Sequence, residues 1–285
     1  IKLSSENKVI FPLSIVHVME TVASMEQNRK ERLAKFMMKI SQGYIILPNR
    51  ETFQDEEIRT AILKKFDKPH RPIEDLVISN GGISQLLHRS IKIGGNVSSE
   101  KKEEIIKTLE SPETLFRILV SKMDLKIPMR EKENKELIDK LEILRQKDEK
   151  ITDNKLRKDI ALIKGYGSIL PKIITICLEF GLNPSELFKL TPPNKHEVME
   201  FYKSIASAYT FVILDHYRNL QKDRRIQKND LNDIGFLSIA IPYCDVVITE
   251  KMWVSLAKSA GLNEDFDTVL LSSIKDLHPY LESNN

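Results

Sequence analysis

Val246-Val247-Ile248-Thr249-Glu250, then Met252 to Ala260 closed by Gly261, then Thr268-Val269-Leu270-Leu271, is the stretch on which the fold turns. A β-branched run bounded by polar residues reads as a buried strand. The periodic apolar segment after it reads as a helix stopped at its glycine, and the second apolar run as another strand. Strand, helix, strand in that order implies parallel pairing, with helices covering the sheet. Upstream, Val198 to Leu220 carries Phe201, Ile205, Ala208, Phe211 and Val212 on one helical face, and Leu231 to Ile241 is a second helix ended by Pro242. At the front, Lys8-Val9-Ile10-Phe11 closed by Pro12 reads as a strand. Ser14 then caps a helix running from Ile15 through Val18, Met19, Val22, Met25, Leu33, Phe36, Met37 and Ile40 to Gly43, and Tyr44 to Pro48 is a further strand.

Between these ends the β-rich runs disappear. Leu137, Ile138, Leu141 and Leu144 share one face of a helix over Glu131 to Lys147, with its charges on a solvated face. Gly81-Gly82 and Gly94-Gly95 are loop signals, and Gly165-Tyr166-Gly167 is too short for a phosphate-binding glycine loop. The expected architecture is an α/β parallel-sheet, three-layer domain built from residues 1–60 and 195–285, interrupted by a helical insertion over 61–194 with no strand in the central sheet.

Composition narrows the class. The 285 residues are 41% hydrophobic and 30% charged, which excludes collagen-like and wholly disordered chains. Lys and Arg number 44 against 41 Asp and Glu, so the net charge of +3 does not by itself demand a nucleic-acid partner. Cys177 and Cys244 are far apart and in no CxxC arrangement, which argues against a disulfide framework and against zinc. No run approaches the ~20 apolar residues of a membrane span, and no signal-peptide pattern opens the chain. A cytoplasmic location and no membrane partner are expected. The chain begins at Ile1 rather than Met, so a leading segment is expected to be missing.

Parallel sheets place their working groups beyond the carboxyl ends of the strands. Glu20 lies on the helix entered from the first strand, ~9 Å along it from that edge. Asp230 and Asp233 open a helix that runs back antiparallel, so they stand at the same edge. Spacing alone equally fits Asp230 as an N-cap and Asp233 as a first-turn acid favoured by the helix dipole. Glu250 follows the strand at the active edge, whereas Asp245 precedes it and falls ~16 Å away at the usual strand rise, where a turn or capping role suits it better. Carboxylates converging without His or Cys suit a hard ion, Mg²⁺ or Mn²⁺, the set used for phosphodiester hydrolysis. The six histidines form no HExxH motif, and no GxSxG elbow occurs.

Phe11-Pro12-Leu13-Ser14, His17 and Glu20-Thr21, followed far downstream by Asn229-Asp230 to Asp233, Ala240 to Asp245 (AIPYCD) and Val246 to Lys251 (VVITEK), resemble the PIN-like nucleases, specifically an uncharacterised bacterial branch of them. The resemblance implies a metal-dependent nuclease, often an endoribonuclease, with acids at several strand and helix ends. Glu20 matches the helix acid, Asp233 the later helix acid, and Glu250 the acid after the fourth strand, where the family more often has Asp. Asp245 belongs to the matching run and joins Asp230 among the implied metal ligands. The family's first acid would lie on a strand upstream of Ile1.

The expectation is therefore an Mg²⁺- or Mn²⁺-dependent endonuclease acting on nucleic acid, with single-stranded RNA favoured, as a toxin or defence effector. Glu20, Asp233 and Glu250 would be its catalytic acids. Arg218, Lys222, Arg224, Arg225 and Lys228 form the clearest cationic cluster; they read either as a phosphate-backbone guide or as a solvated helix end. The alternative is a catalytically inactive scaffold of the same fold whose helical region binds a protein partner.

Overall fold

The computed structural model describes residues 8–23, 26–46, 50–80, 82, 93–94, 97–121, 131–188 and 194–283. In chain order the elements are α1 (Ile15–Ala23), α2 (Gln27–Ser41), β1 (Tyr44–Ile46), α3 (Arg50–Lys65), α4 (Glu74–Val77), β2 (Ile78–Asn80), α5 (Ser99–Leu109), α6 (Pro112–Val120), α7 (Glu131–Asp148) and α8 (Asn154–Glu179). They continue with α9 (Lys195–Lys203), α10 (Ala206–Asn219), α11 (Lys228–Tyr243), β3 (Val246–Ile248), α12 (Lys251–Ala260), α13 (Leu262–Asp265), β4 (Val269–Leu271) and α14 (Leu277–Ser283).

The fold is mainly helical, which overturns the expected α/β parallel-sheet, three-layer domain. Among the described residues the strands make only two separate two-stranded sheets, β1 with β2 and β3 with β4. The downstream pair is parallel, with Val246 opposite Val269 and Ile248 opposite Leu271. The local expectation of strand, helix and parallel strand is met there, but no third strand joins. Only Val247 of β3 is buried, and Ile248 is 37% exposed. A strand covered on one face is not the centre of a doubly covered sheet. At the front, Lys8 to Phe11 forms no strand. The run ends in Pro12, which has no N–H to donate, and pairing is confined to a single parallel bridge from Leu13 to Ile45. β1 instead pairs antiparallel with β2, a strand inside the region expected to be a mainly helical insertion.

The chain divides into two compact units, one of residues 1–52 and 74–129 and the other of 53–73 and 130–285. Neither coincides with the boundaries read from sequence. In the first unit Leu13, Val18, Ala34, Met37, Ile45, Leu115 and Leu119 form the core. Ser14 caps α1 as its position suggests, its hydroxyl oxygen accepting from the His17 N–H at 3.3 Å. The helix expected to reach Gly43 is two helices: α1 closes at Ala23, and α2 ends at Gln42 and Gly43, both with positive φ.

The second unit has the larger core, built around Trp253, Tyr202, Ile205, Ile213, Leu214, Ile234 and Leu262, to which α3 contributes Ile58 and Ile62. Val198 to Leu220 is broken into α9 and α10 at Ser204 and Ile205. α10 is the central helix, packing on α8, α9, α11 and α12. Gly165 of α8 allows the close approach to α10: a β-carbon there would stand 2.6 Å from both the Tyr202 hydroxyl and a Val212 methyl. Glu57 of α3 is 1% exposed and accepts from the Ser207 N–H at 2.8 Å, the Ser207 hydroxyl and the Tyr243 hydroxyl.

Candidate functional site

Asp230 is the N3 residue of α11, and it decides what the acidic cluster can do. Its Oδ2 accepts the Gln227 N–H at 2.9 Å, completing a reciprocal cap at the start of the helix. Its Oδ1 accepts from the Arg224 guanidinium at 2.7 Å, and Arg218 lies 4.0 Å from Oδ2. Asp230 and Arg218 are 1% and 2% exposed, so this is a buried ion pair at a helix start, with both oxygens engaged. Arg218 also binds Asp215, one turn before it on α10.

Asp233, one turn further along α11, is partly buried and accepts the Trp253 indole N–H at 3.1 Å. Burial raises its carboxyl above the ordinary value, and the negative charges of Glu250 and Asp230 push the same way, against the Trp253 hydrogen bond and Arg224. Glu250 is exposed at the N-cap position of α12, with no side-chain capping bond. The sequence-read acids Asp230, Asp233 and Glu250 are therefore within electrostatic reach of one another. Asp245 is exposed before β3, and its carbonyl accepts the Val269 N–H at 2.8 Å. Its charge, added to burial, pushes the Cys244 thiol up to about 12. Glu20 is on α1, in the first unit, while Asp233 and Glu250 belong to the second.

These donors do not fit a hard dication. Among the described residues no three His, Cys, Asp or Glu side chains are grouped to hold a metal ion. Mg²⁺ takes six near-ideal oxygen positions, whereas Asp230 has its oxygens on an arginine and a backbone amide.

The cationic cluster is in large part internal. Arg218 and Arg224 neutralise Asp215 and Asp230, and the Arg224 guanidinium also rests on Met252 Sδ. Lys222 and Arg225 are exposed. Lys228 opens α11, and its side chain lies outside the described residues. The loop itself is fastened by residues that local sequence did not single out. Glu142 of α7, 6% exposed, accepts the Ile226 N–H at 2.6 Å and pairs with Arg145 at 3.0 Å. Arg145 in turn donates to the carbonyl of Arg224 at 2.8 Å. An acid next to Leu141 on an apolar face was the only signal available.

α8 carries the other unusual surface. Its core side holds Leu162, Ile169, Ile173, Ile176 and Cys177. Away from them, Leu156, Ile163, Leu170, Ile174 and Leu178 recur at helical spacing and are 39–64% exposed. Among the described residues α8 is the one helix long and apolar enough to cross a membrane by length and composition, and it is packed on α10. No family model, no curated protein and no solved structure matches the chain, so the resemblance to PIN-like nucleases gains no support from them.

Proposed function

We propose that this chain is a non-catalytic helical assembly module that pairs with a second copy of itself through α8. The observation carrying this reading is the exposed apolar stripe of α8, on a helix whose other face is already spent on the core. A helix apolar on two sides is stable in water only when both are covered, and contiguous exposed apolar surface marks an interaction site.

The occupant follows from the order of residues along the stripe. Leu156 and Leu178, and Ile163 and Pro171, lie equidistant from Gly167 in the sequence, so an antiparallel copy related by a two-fold axis through Gly167 sets apolar on apolar beside the axis and at both ends, while Leu170 falls opposite Lys164, whose ammonium is held by Asp148 at 3.1 Å. Gly167 has nothing within 4 Å of where a β-carbon would stand, leaving room for a second backbone at the axis. The contact is one helix wide, which suits a dimer with a dissociation constant on the order of 10 μM.

Sedimentation equilibrium tests the pairing. The wild type should dimerise, and Ile163→Asp should be monomeric with its circular dichroism unchanged. Gly167→Cys should cross-link to itself on oxidation, since only a residue at the axis meets its own copy. A monomer at 200 μM, or an Ile163→Asp variant that still dimerises, overturns the reading, as does binding to neutral lipid vesicles by a chain monomeric in solution. The hydrolytic reading keeps one favourable feature, the neighbouring charges of Asp233 and Glu250. It requires Mn²⁺ to raise the melting temperature and single-stranded RNA to be cut. The assembly reading expects neither.

A further inference from the structure

Between α7, α8 and α10 lies a cavity of about 340 Å³, at the small end of ligand-binding pockets. Its walls are mostly apolar, with Leu141, Leu144, Ile160 and Phe211 among them. The charged groups in the lining are nearly all matched: Asp148 with Lys164 at 3.1 Å, Asp215 with Arg218, and Arg145 with Glu142 at 3.0 Å.

Arg157 is the exception. It is 6% exposed, lines the cavity, and makes no ion pair or side-chain hydrogen bond among the described residues; its Nε is buried without a partner. Arginine cannot shed its proton, so this charge stays, and a buried, unpaired guanidinium is costly. Burial, with the charges of Arg157 and Lys158, pushes the His216 imidazole down to about 4 despite Asp148, so the buried ring beside the cavity is neutral at pH 7. The Asn219 carbonyl oxygen on the same wall is buried without a donor. Uncompensated polar groups thus converge on one apolar cavity.

We infer that this cavity binds a small monocarboxylate with an apolar body, its carboxylate held by Arg157 and its body by the apolar walls of α7, α8 and α10. One uncompensated positive charge calls for one negative charge. The planar guanidinium fork matches a carboxylate bidentately, and a doubly charged phosphate monoester would leave a buried charge over. The inference stands whether or not α8 dimerises.

Decanoate and decanol, which share a chain but not a charge, are suitable probes for isothermal titration calorimetry on the intact chain. Decanoate should bind at least ten-fold tighter than decanol. Arg157→Met, which fills the same space without charge, should erase that preference and should melt no lower than the wild type, because it removes an unpaired buried cation. Ala161→Phe, which fills the cavity, should abolish binding of both probes while leaving Arg157 in place. Equal affinity for the two probes, no binding of decanoate up to 1 mM, preference retained in Arg157→Met, or binding retained in Ala161→Phe would each overturn the assignment. So would a lower melting temperature for Arg157→Met, which would show that the cation is already satisfied inside the protein.

Discussion

Replacing Asp230 by Asn separates a structural carboxylate from a metal-binding one by the sign of a single number. The side chain is 1% exposed, with Arg224 at 2.7 Å, the Gln227 amide at 2.9 Å and Arg218 at 4.0 Å. Asparagine keeps an acceptor for the helix cap and deletes only the charge. Stripping one partner from a buried ion pair costs about 3–5 kcal/mol. Two features reduce that here: the Arg224 side chain is 34% exposed and so partly solvated, and Arg218 keeps Asp215. The expected loss is therefore about 2 kcal/mol at pH 7, or roughly 4–8 °C in melting temperature for a domain of this size. Urea unfolding in EDTA reads it through Trp253, the only tryptophan of the chain, whose indole N–H is bonded to Asp233. If Asp230 instead belonged to a cluster awaiting a cation, the empty cluster would repel itself and the substitution would raise the midpoint. An unchanged or raised midpoint in EDTA refutes the ion-pair account.

Asp233→Asn should act in the opposite direction, because burial and the charges of Glu250 and Asp230 raise the Asp233 carboxyl while an amide oxygen can still accept from Trp253. A raised acid favours the folded state while it is protonated, and that contribution is lost as pH rises from the ordinary value of 3.8 through the raised one. The gap in urea midpoint between Asp233→Asn and wild type should therefore widen over that interval, and a constant gap counts against the assignment. Gly165→Ala should destabilise by about 1 kcal/mol, since a 2.6 Å clash with Tyr202 and Val212 outweighs the helix propensity gained; thermal melts showing stabilisation would mean that α8 and α10 can part at little cost. Glu57→Leu should cost about 3 kcal/mol by orphaning the Ser207 amide and the two hydroxyls it serves, and amide exchange at Ser207 should accelerate in step.

What the sequence disclosed was local. The end of α12 at Gly261, the Ser14 cap and the parallel pairing of Val246–Ile248 with Val269–Leu271 were all legible, because each depends on residues close by or on short runs of strong β character. The sheet was not legible. Three apolar residues look the same whether they lie mid-sheet or in an isolated pair, and the difference rests on partners that never arrive. The acids show the same divide. Spacing left Asp230 open between capping and metal binding, and the choice is made by Arg218 and Arg224, whose approach depends on how α10 and the following loop pack. Arg157 and Glu57 gave no signal, since nothing near a charged residue in a helix announces that it will be buried.

The bonds of Glu57 span 150 residues to Ser207 and 186 to Tyr243. On a ribosome adding ~5–20 residues per second, α3 emerges roughly 10–40 s before its last partner does. Until α8 and the helices after it follow, the face carrying Ile58 and Ile62 lacks its core, although the first unit needs nothing beyond residue 129. The first unit can thus be complete while the segment inserted between its two parts, residues 53–73, still lacks its partners. Pulsed proteolysis of stalled nascent chains should find that segment cleavable until the residues around Tyr243 have cleared the exit tunnel.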